Sequence, residues 1–234
     1  MKKLEYVYVQ SPEAGSQHLF DLIKLELEAQ TLKVIGLATG GTMIPVYEKW
    51  VNSTLDFSNV ITFNLDEYVG MTADNPHGYA YFMHEHLFDH KTFKKHYLLN
   101  GIAEDLEAEC KNYEQLLAEN PLDIQLLGVG ENGHIAFNEP GTSFDSVTHI
   151  AELTPSTLDV NSRFFADGEE VPNTALTMGI QSILSAKKIV LLAFGEKKRA
   201  ALEKLFEGQV DTKWPITKLL HHENVMVITD LELQ

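Results

Sequence analysis

Two short stretches of this chain combine residues able to move protons with a local sequence that keeps them out of regular helix. In "NVITFNLDEYVG", Asp66 and Glu67 directly follow an apolar run. Partial removal from water there raises a carboxylate's pKa and makes it a better proton acceptor. One of the two is a candidate general base, and a turn or helix-capping carboxylate is the plainer alternative. In "GVGENGHIAFNEPG", His134 and Glu139 stand five apart in a loop that Pro140 holds away from helix. A carboxylate beside an imidazole orients the ring and raises its basicity, so the pair is suited to acid and base work. A structural histidine is the alternative. The loop opens with a literal G-x-G-x-x-G, but a dinucleotide site needs a helix starting at the third glycine, and "GHIAFNEP" supports none.

A third stretch, Thr39-Gly40-Gly41-Thr42, is a small-residue turn whose backbone N–H groups and hydroxyls suit a phosphate, or simply a tight strand-to-helix connection. It lacks the Gly-Lys-Ser/Thr ending of a nucleotide-binding P-loop. Cations that could join it are Lys197 and Lys198 in "FGEKKRAAL" and Arg163 in "NSRFF". A solvated lysine pair is the commoner meaning of such a run.

Positioning these groups requires elements that end near one another. "LEYVYV" (4–9) reads as a strand, and the next segment reads as a helix capped by Ser11 with Pro12 in its first turn. "KVIGLA" (33–38), "NVITFN" (59–64), "DIQLLG" (123–128), "KIVLLAFG" (188–195) and "NVMVIT" (224–229) are continuous apolar runs, the pattern of strands covered on both faces. Helical segments between them predict an α/β fold: a three-layer α/β/α, Rossmann-like single domain over residues 1–234 with a mostly parallel sheet. Ligands in such folds bind beyond the carboxyl ends of the strands, and all the candidate loops fall on that edge.

Composition sets limits. Eighteen Lys and Arg against 34 Asp and Glu give a net charge of −16, a field that repels nucleic acid and anionic membranes. The single Cys110, in a stretch of helical periodicity, allows neither an internal disulfide nor a cysteine metal site. No apolar run is long enough to span a bilayer and no leader is evident, so a cytoplasmic location is expected. His84, His86 and His90 in "HEHLFDH" lack the HExxH pattern and read as an exposed helix face, with no metal site expected.

Together, "TGGT", "FNLDEYVG", "HGYAYFM", "GVGENGHIAFNEPG", "NSRFF", "ALTMGI" and "LLAFGEKKRAAL" resemble, in order and spacing, the glucosamine-6-phosphate deaminase (isomerising) family, over nearly the whole chain. The resemblance implies conversion of glucosamine 6-phosphate and water to fructose 6-phosphate and ammonia in amino-sugar catabolism, without cofactor or catalytic metal. It implies phosphate binding by Gly40, Gly41, Thr42, Arg163 and Lys198, ring opening by His134 oriented by Glu139 and Asn132, and proton transfer from C2 to C1 by Asp66. Many family members carry Asp where this chain has Asn132, which would make His134 a somewhat weaker base. Regulated hexameric members carry a longer C-terminal tail and basic residues at the positions of His149 and Ala151. Their lack here implies an enzyme without an activator site, a monomer or small homo-oligomer. The segment from about 142 to 173, polar and rich in Gly and Pro, is expected to provide a movable cover. 6-Phosphogluconolactonase, which shares the fold, is the nearest alternative, but its histidine loop typically runs into Leu-Phe-Pro where this chain has "HIAFNEP". A sugar-phosphate sensor is a further alternative, normally fused to a DNA-reading helix-turn-helix that the acidic chain does not suggest.

Overall fold

A computed structural model describes residues 3–162, 165 and 171–233. Its centre is a seven-stranded, wholly parallel sheet, assembled from β1 (Lys3–Tyr8), β2 (Val34–Leu37), β3 (Ile61–Asn64), β5 (Lys95–Tyr97), β6 (Ile124–Leu127), β9 (Lys188–Ala193) and β10 (Asn224–Thr229). The spatial order is β1-β10-β9-β6-β2-β3-β5. The chain runs outward from β2 through β3 to β5, then returns to place β6 on the other side of β2. Loops leaving β2 and β6 therefore diverge from adjacent strands, which opens a crevice at the carboxyl edge. Every residue of β2 and of β6 is buried, as the unbroken apolar runs require.

The helices form where their sequence signals stand. In α1 (Pro12–Glu28), Ser11 Oγ accepts the Ala14 N–H at 3.2 Å and Pro12 occupies the first turn. α2 (Ile44–Val51) follows the glycine turn, and α4 (Leu106–Glu119), which buries Cys110, is capped by Asp105 on the Ala108 N–H at 2.9 Å. A large core surrounds the sheet, with Trp50, Tyr47, Tyr113, Phe57 and Phe63 its bulkiest fully buried side chains. Gly36 is required by packing: a Cβ there would stand 1.9 Å from Oε1 of Gln125, whose buried side chain lies across the glycine.

A second, three-stranded antiparallel sheet is the main departure from the sequence reading. It consists of β4 (Asp66–Tyr68), β8 (Thr174–Thr177) and β7 (His149–Glu152), in the order β4-β8-β7. These strands are three or four residues long, too short for periodicity to register, and β4 reaches β8 from more than a hundred residues away in sequence. Tyr68, Phe137, Ala151, Leu153 and Ala175 form a small apolar cluster against it. α3 (Tyr79–Met83) follows β4, α5 (Pro155–Ser162) joins β7 to β8, α6 (Ile180–Leu184) follows β8, and α7 (Arg199–Phe206) follows β9. The expected histidine-bearing helix is a π-helical turn, His84–Phe88, in which His84 Nδ1 lies 2.8 Å from Asp89 Oδ1. Of the segment 142–173, residues 163, 164 and 166–170 lie outside the described residues, Arg163 among them. No described helix is long and apolar enough to cross a membrane.

Candidate active site

Three strand ends of the parallel sheet, together with β4, converge on a cavity of about 360 Å³. Its walls include Thr39, Gly40, Gly41 and Thr42 after β2, Asp66 on β4, Gly130, Asn132 and His134 after β6, and Lys198 after β9. All the described site residues expected from sequence except Glu139 are in this lining, and Glu139 contacts it through His134 and Asn132.

Asp66 and Glu67 are adjacent on a strand and so face opposite ways. That alternation separates their roles. Glu67 is consumed by structure: Oε1 accepts the N–H groups of Tyr68 and Tyr79 at 2.8 and 2.9 Å, and Oε2 accepts that of Ala80 at 2.7 Å, capping the start of α3. Asp66 faces the cavity instead. Burial, and then the neighbouring Glu67 charge, push its carboxyl up to about 8.

The glycines of the loop after β6 serve the histidine. A Cβ on Gly130 would stand 2.2 Å from the His134 ring, so the imidazole lies flat against bare backbone. Gly133 has φ +82° and passes too close to Trp214 for any side chain. Downstream, the loop is pinned from inside: Asn138 Nδ2 donates to the carbonyls of Ile135 and Met178 at 2.9 and 2.8 Å, and the Phe137 N–H donates to Thr177 Oγ1 at 3.1 Å. Ala136 accordingly takes a left-handed conformation, φ +50°. No helix begins at Gly133, as the sequence predicts, and the dinucleotide reading is excluded on geometry.

His134 Nδ1 lies 3.5 Å from Glu139 Oε2, longer than a formed hydrogen bond but within ion-pair range. Asn132 holds both: its Nδ2 donates to Glu139 Oε2 at 2.9 Å, while its Oδ1 accepts the His134 N–H at 3.1 Å. Burial works to raise the Glu139 pKa, yet His134 alongside, then Thr157 and Asn132, hold it down to about 2. The sequence carries no sign of the role of Thr157 on α5, since nothing in its spacing to Glu139 announces a contact made across a loop and a strand.

At the cationic end the two lysines divide. Lys197 pairs at the surface with Glu131, 3.3 Å away, while Lys198 lines the cavity, where burial lowers its pKa. Gly40 has φ +96°, and neither Gly40 nor Gly41 has anything within 4 Å of a would-be Cβ, so their backbone is open to a ligand. Such a turn ahead of α2, lining the same cavity as a lysine, has the chemistry to hold an anion. Tyr79, also in the wall, is held as the neutral phenol by burial.

Fold and site thus define an α/β protein with a cavity at the sheet's switch point that brings an open glycine turn, a lysine, a histidine and a buried carboxyl together. The chain belongs to the family described as glucosamine-6-phosphate isomerases/6-phosphogluconolactonase, whose model matches residues 11–228. It is 48% identical over 227 residues to a glucosamine-6-phosphate deaminase of Lactobacillus helveticus, covering 97% of this chain and 95% of that one. A glucosamine-6-phosphate deaminase of Streptococcus uberis is 48% identical over 229 residues, 98% of this chain and 97% of the relative. Among solved structures, a monomeric glucosamine-6-phosphate deaminase superposes with a TM-score of 0.92 at 42% identity, with 96% of each chain covered. A 6-phosphogluconolactonase from Shewanella baltica shares the fold, with a TM-score of 0.76 at 20% identity over 97% of each chain.

Proposed function

We infer that this chain is an enzyme that converts glucosamine 6-phosphate and water to fructose 6-phosphate and ammonia. The observation that carries the assignment of roles is the single cavity lined by Asp66, His134, the Gly40–Gly41 turn and Lys198. In this reading the phosphate dianion sits on the N–H groups of Gly40, Gly41 and Thr42 and against Lys198, with Arg163 completing the grip as the family resemblance implies. His134 exchanges the proton that opens the pyranose ring, with Glu139 and Asn132 fixing its orientation. Asp66 then takes the C2 proton, acidic because it lies next to the C1 aldehyde, and returns it to C1. That leaves an imine at C2, and water adds there to expel ammonia.

Burial keeps Asp66 protonated near neutral pH, since its pKa is about 8. A cationic amino group entering beside it favours the carboxylate, so the substrate itself helps generate the base. We further propose that the chain acts as one domain, as a monomer or small homo-oligomer, without an activator site. His149 and Ala151 supply no fixed cation: Ala151 is buried in the small sheet, and His149 Nδ1 bonds the Val147 carbonyl at 2.8 Å.

Ammonia release from glucosamine 6-phosphate, measured for the wild type and for Asp66→Asn, tests the proposal. The variant should lose about 10²- to 10⁴-fold in kcat, the usual share of a general base. An equally fast variant removes Asp66 from the mechanism, and a wild type that releases only acid from the lactone overturns the reaction. Added N-acetylglucosamine 6-phosphate should leave the rate unchanged.

A further inference from the structure

The Glu139 carboxylate has two oxygens with separate duties. Oε2 faces its own loop, taking the Asn132 amide at 2.9 Å and the His134 ring at 3.5 Å. Oε1 turns the other way and accepts the hydroxyl of Thr157, eighteen residues along the chain on α5. Thr157 is 5% exposed and lines the same cavity. Its hydroxyl is itself directed: Thr154 Oγ1 donates to Thr157 Oγ1 at 3.2 Å, and the Thr157 N–H reaches Thr154 Oγ1 at 3.4 Å. An ionised carboxylate can only accept, so the Thr157 proton points to Glu139 while its oxygen accepts from Thr154. The polarity therefore runs one way, from Thr154 through Thr157 to the carboxylate, an arrangement in which each bond strengthens the next.

We propose that Thr157 is a positioning residue for ring opening: its hydroxyl fixes the plane of the Glu139 carboxylate so that Oε2 stays aimed at His134. The inference rests on the reading of His134 and Glu139 as the ring-opening pair. It adds a link between two parts of the fold. Asn132 and His134 hold Glu139 from within one loop, whereas Thr157 holds it from α5, within the segment expected to cover the sugar. Thr157 thus ties α5 to the ring-opening constellation through a single hydrogen bond. Without the hydroxyl, one oxygen of a buried carboxylate is left without its donor, and the group rotates to find another.

The experiment compares Thr157→Val, which keeps the shape and removes the hydroxyl, with Thr157→Ser, which keeps the hydroxyl, each alone and in a Glu139→Gln background. Ammonia release is read at saturating and limiting glucosamine 6-phosphate. Thr157→Val should lower kcat about ten- to a hundred-fold, the weight of a hydrogen bond to a charged group, with KM changed less than about three-fold. Thr157→Ser should stay within about three-fold of wild type. In the Glu139→Gln background the valine penalty should shrink to about two-fold or less, because coupled partners are not additive. Equal losses in the valine and serine variants, or a valine loss undiminished by Glu139→Gln, would overturn the proposal. Should Thr157→Val be unstable, Thr157→Ala supplies the same comparison. A wild type inactive on glucosamine 6-phosphate would instead refute the proposed function, so the two failures are distinguishable.

Discussion

Replacing Asp66 with Asn should make this protein more stable, and increasingly so as the pH rises. The carboxyl belongs to a buried residue, and its pKa stands at about 8 against 3.8 for the unperturbed group. The sign follows from proton linkage. A carboxyl whose folded pKa is raised binds its proton more tightly in the folded state, so folding carries no penalty from it below pH 3.8 and the full penalty above about 8. The interval of about four pH units corresponds to about 6 kcal/mol at the upper end, at about 1.4 kcal/mol per unit. An amide of the same shape has no charge to bury. Denaturant unfolding of wild type and Asp66→Asn at about pH 5 and about pH 8.5 isolates this group, since every other titrating residue is common to both. The stability difference in favour of Asn should widen by about 4 kcal/mol between the two conditions. A difference that stays constant with pH would refute the claim that a buried Asp66 is forced to ionise, and with it the account of a base switched on by its substrate.

Other perturbations act on single features of the site. Gly130→Ala places a methyl group 2.2 Å from the imidazole, so His134 must leave its position, and kcat should fall at least about 100-fold in the ammonia assay with the chain still folded. If Lys198 holds the phosphate as proposed, Lys198→Ala should raise KM for glucosamine 6-phosphate about ten- to a hundred-fold while kcat changes far less. Asn132→Asp sets a second carboxylate 2.9 Å from Glu139 Oε2. In the wild type the depressed Glu139 pKa contributes stability above pH 4.5 that is lost as the pH falls toward about 2. The variant should lose about 1–3 kcal/mol of that at neutral pH, read by denaturant unfolding, and a stability equal to wild type would count against it.

Much of the architecture was legible because its cause is local. The buried strands announce themselves as continuous apolar runs, Ser11 and Pro12 as a helix start, and Pro140 as a barrier to helix after Gly133. The position of the site followed as well, since the loops after parallel strands gather at one edge: Gly40, Gly41, Thr42, Asp66, Asn132, His134 and Lys198 line the cavity and Glu139 contacts it, whereas Glu67 and Lys197 turn away and Arg163 lies outside the described residues. Residue types therefore determined what chemistry was available: a carboxylate after β3, a His and Glu in a rigid loop, an open glycine turn and a lysine.

Tertiary structure decided which of these residues does which job. Asp66 and Glu67 are indistinguishable as neighbours in a string, and only the pairing of β4 with β8 turns one toward the cavity and the other onto the N–H groups of α3. The same holds for Lys197 and Lys198, separated by a surface contact with Glu131. The glycine-rich loop imitates a dinucleotide motif until the His134 ring is seen lying on Gly130. Thr157 could be found only in three dimensions. A strand or helix is specified by interactions between residues close in sequence, which leave a periodic trace; hydrogen bonds that orient a catalytic side chain join residues far apart, and their partners leave no pattern until the chain has folded.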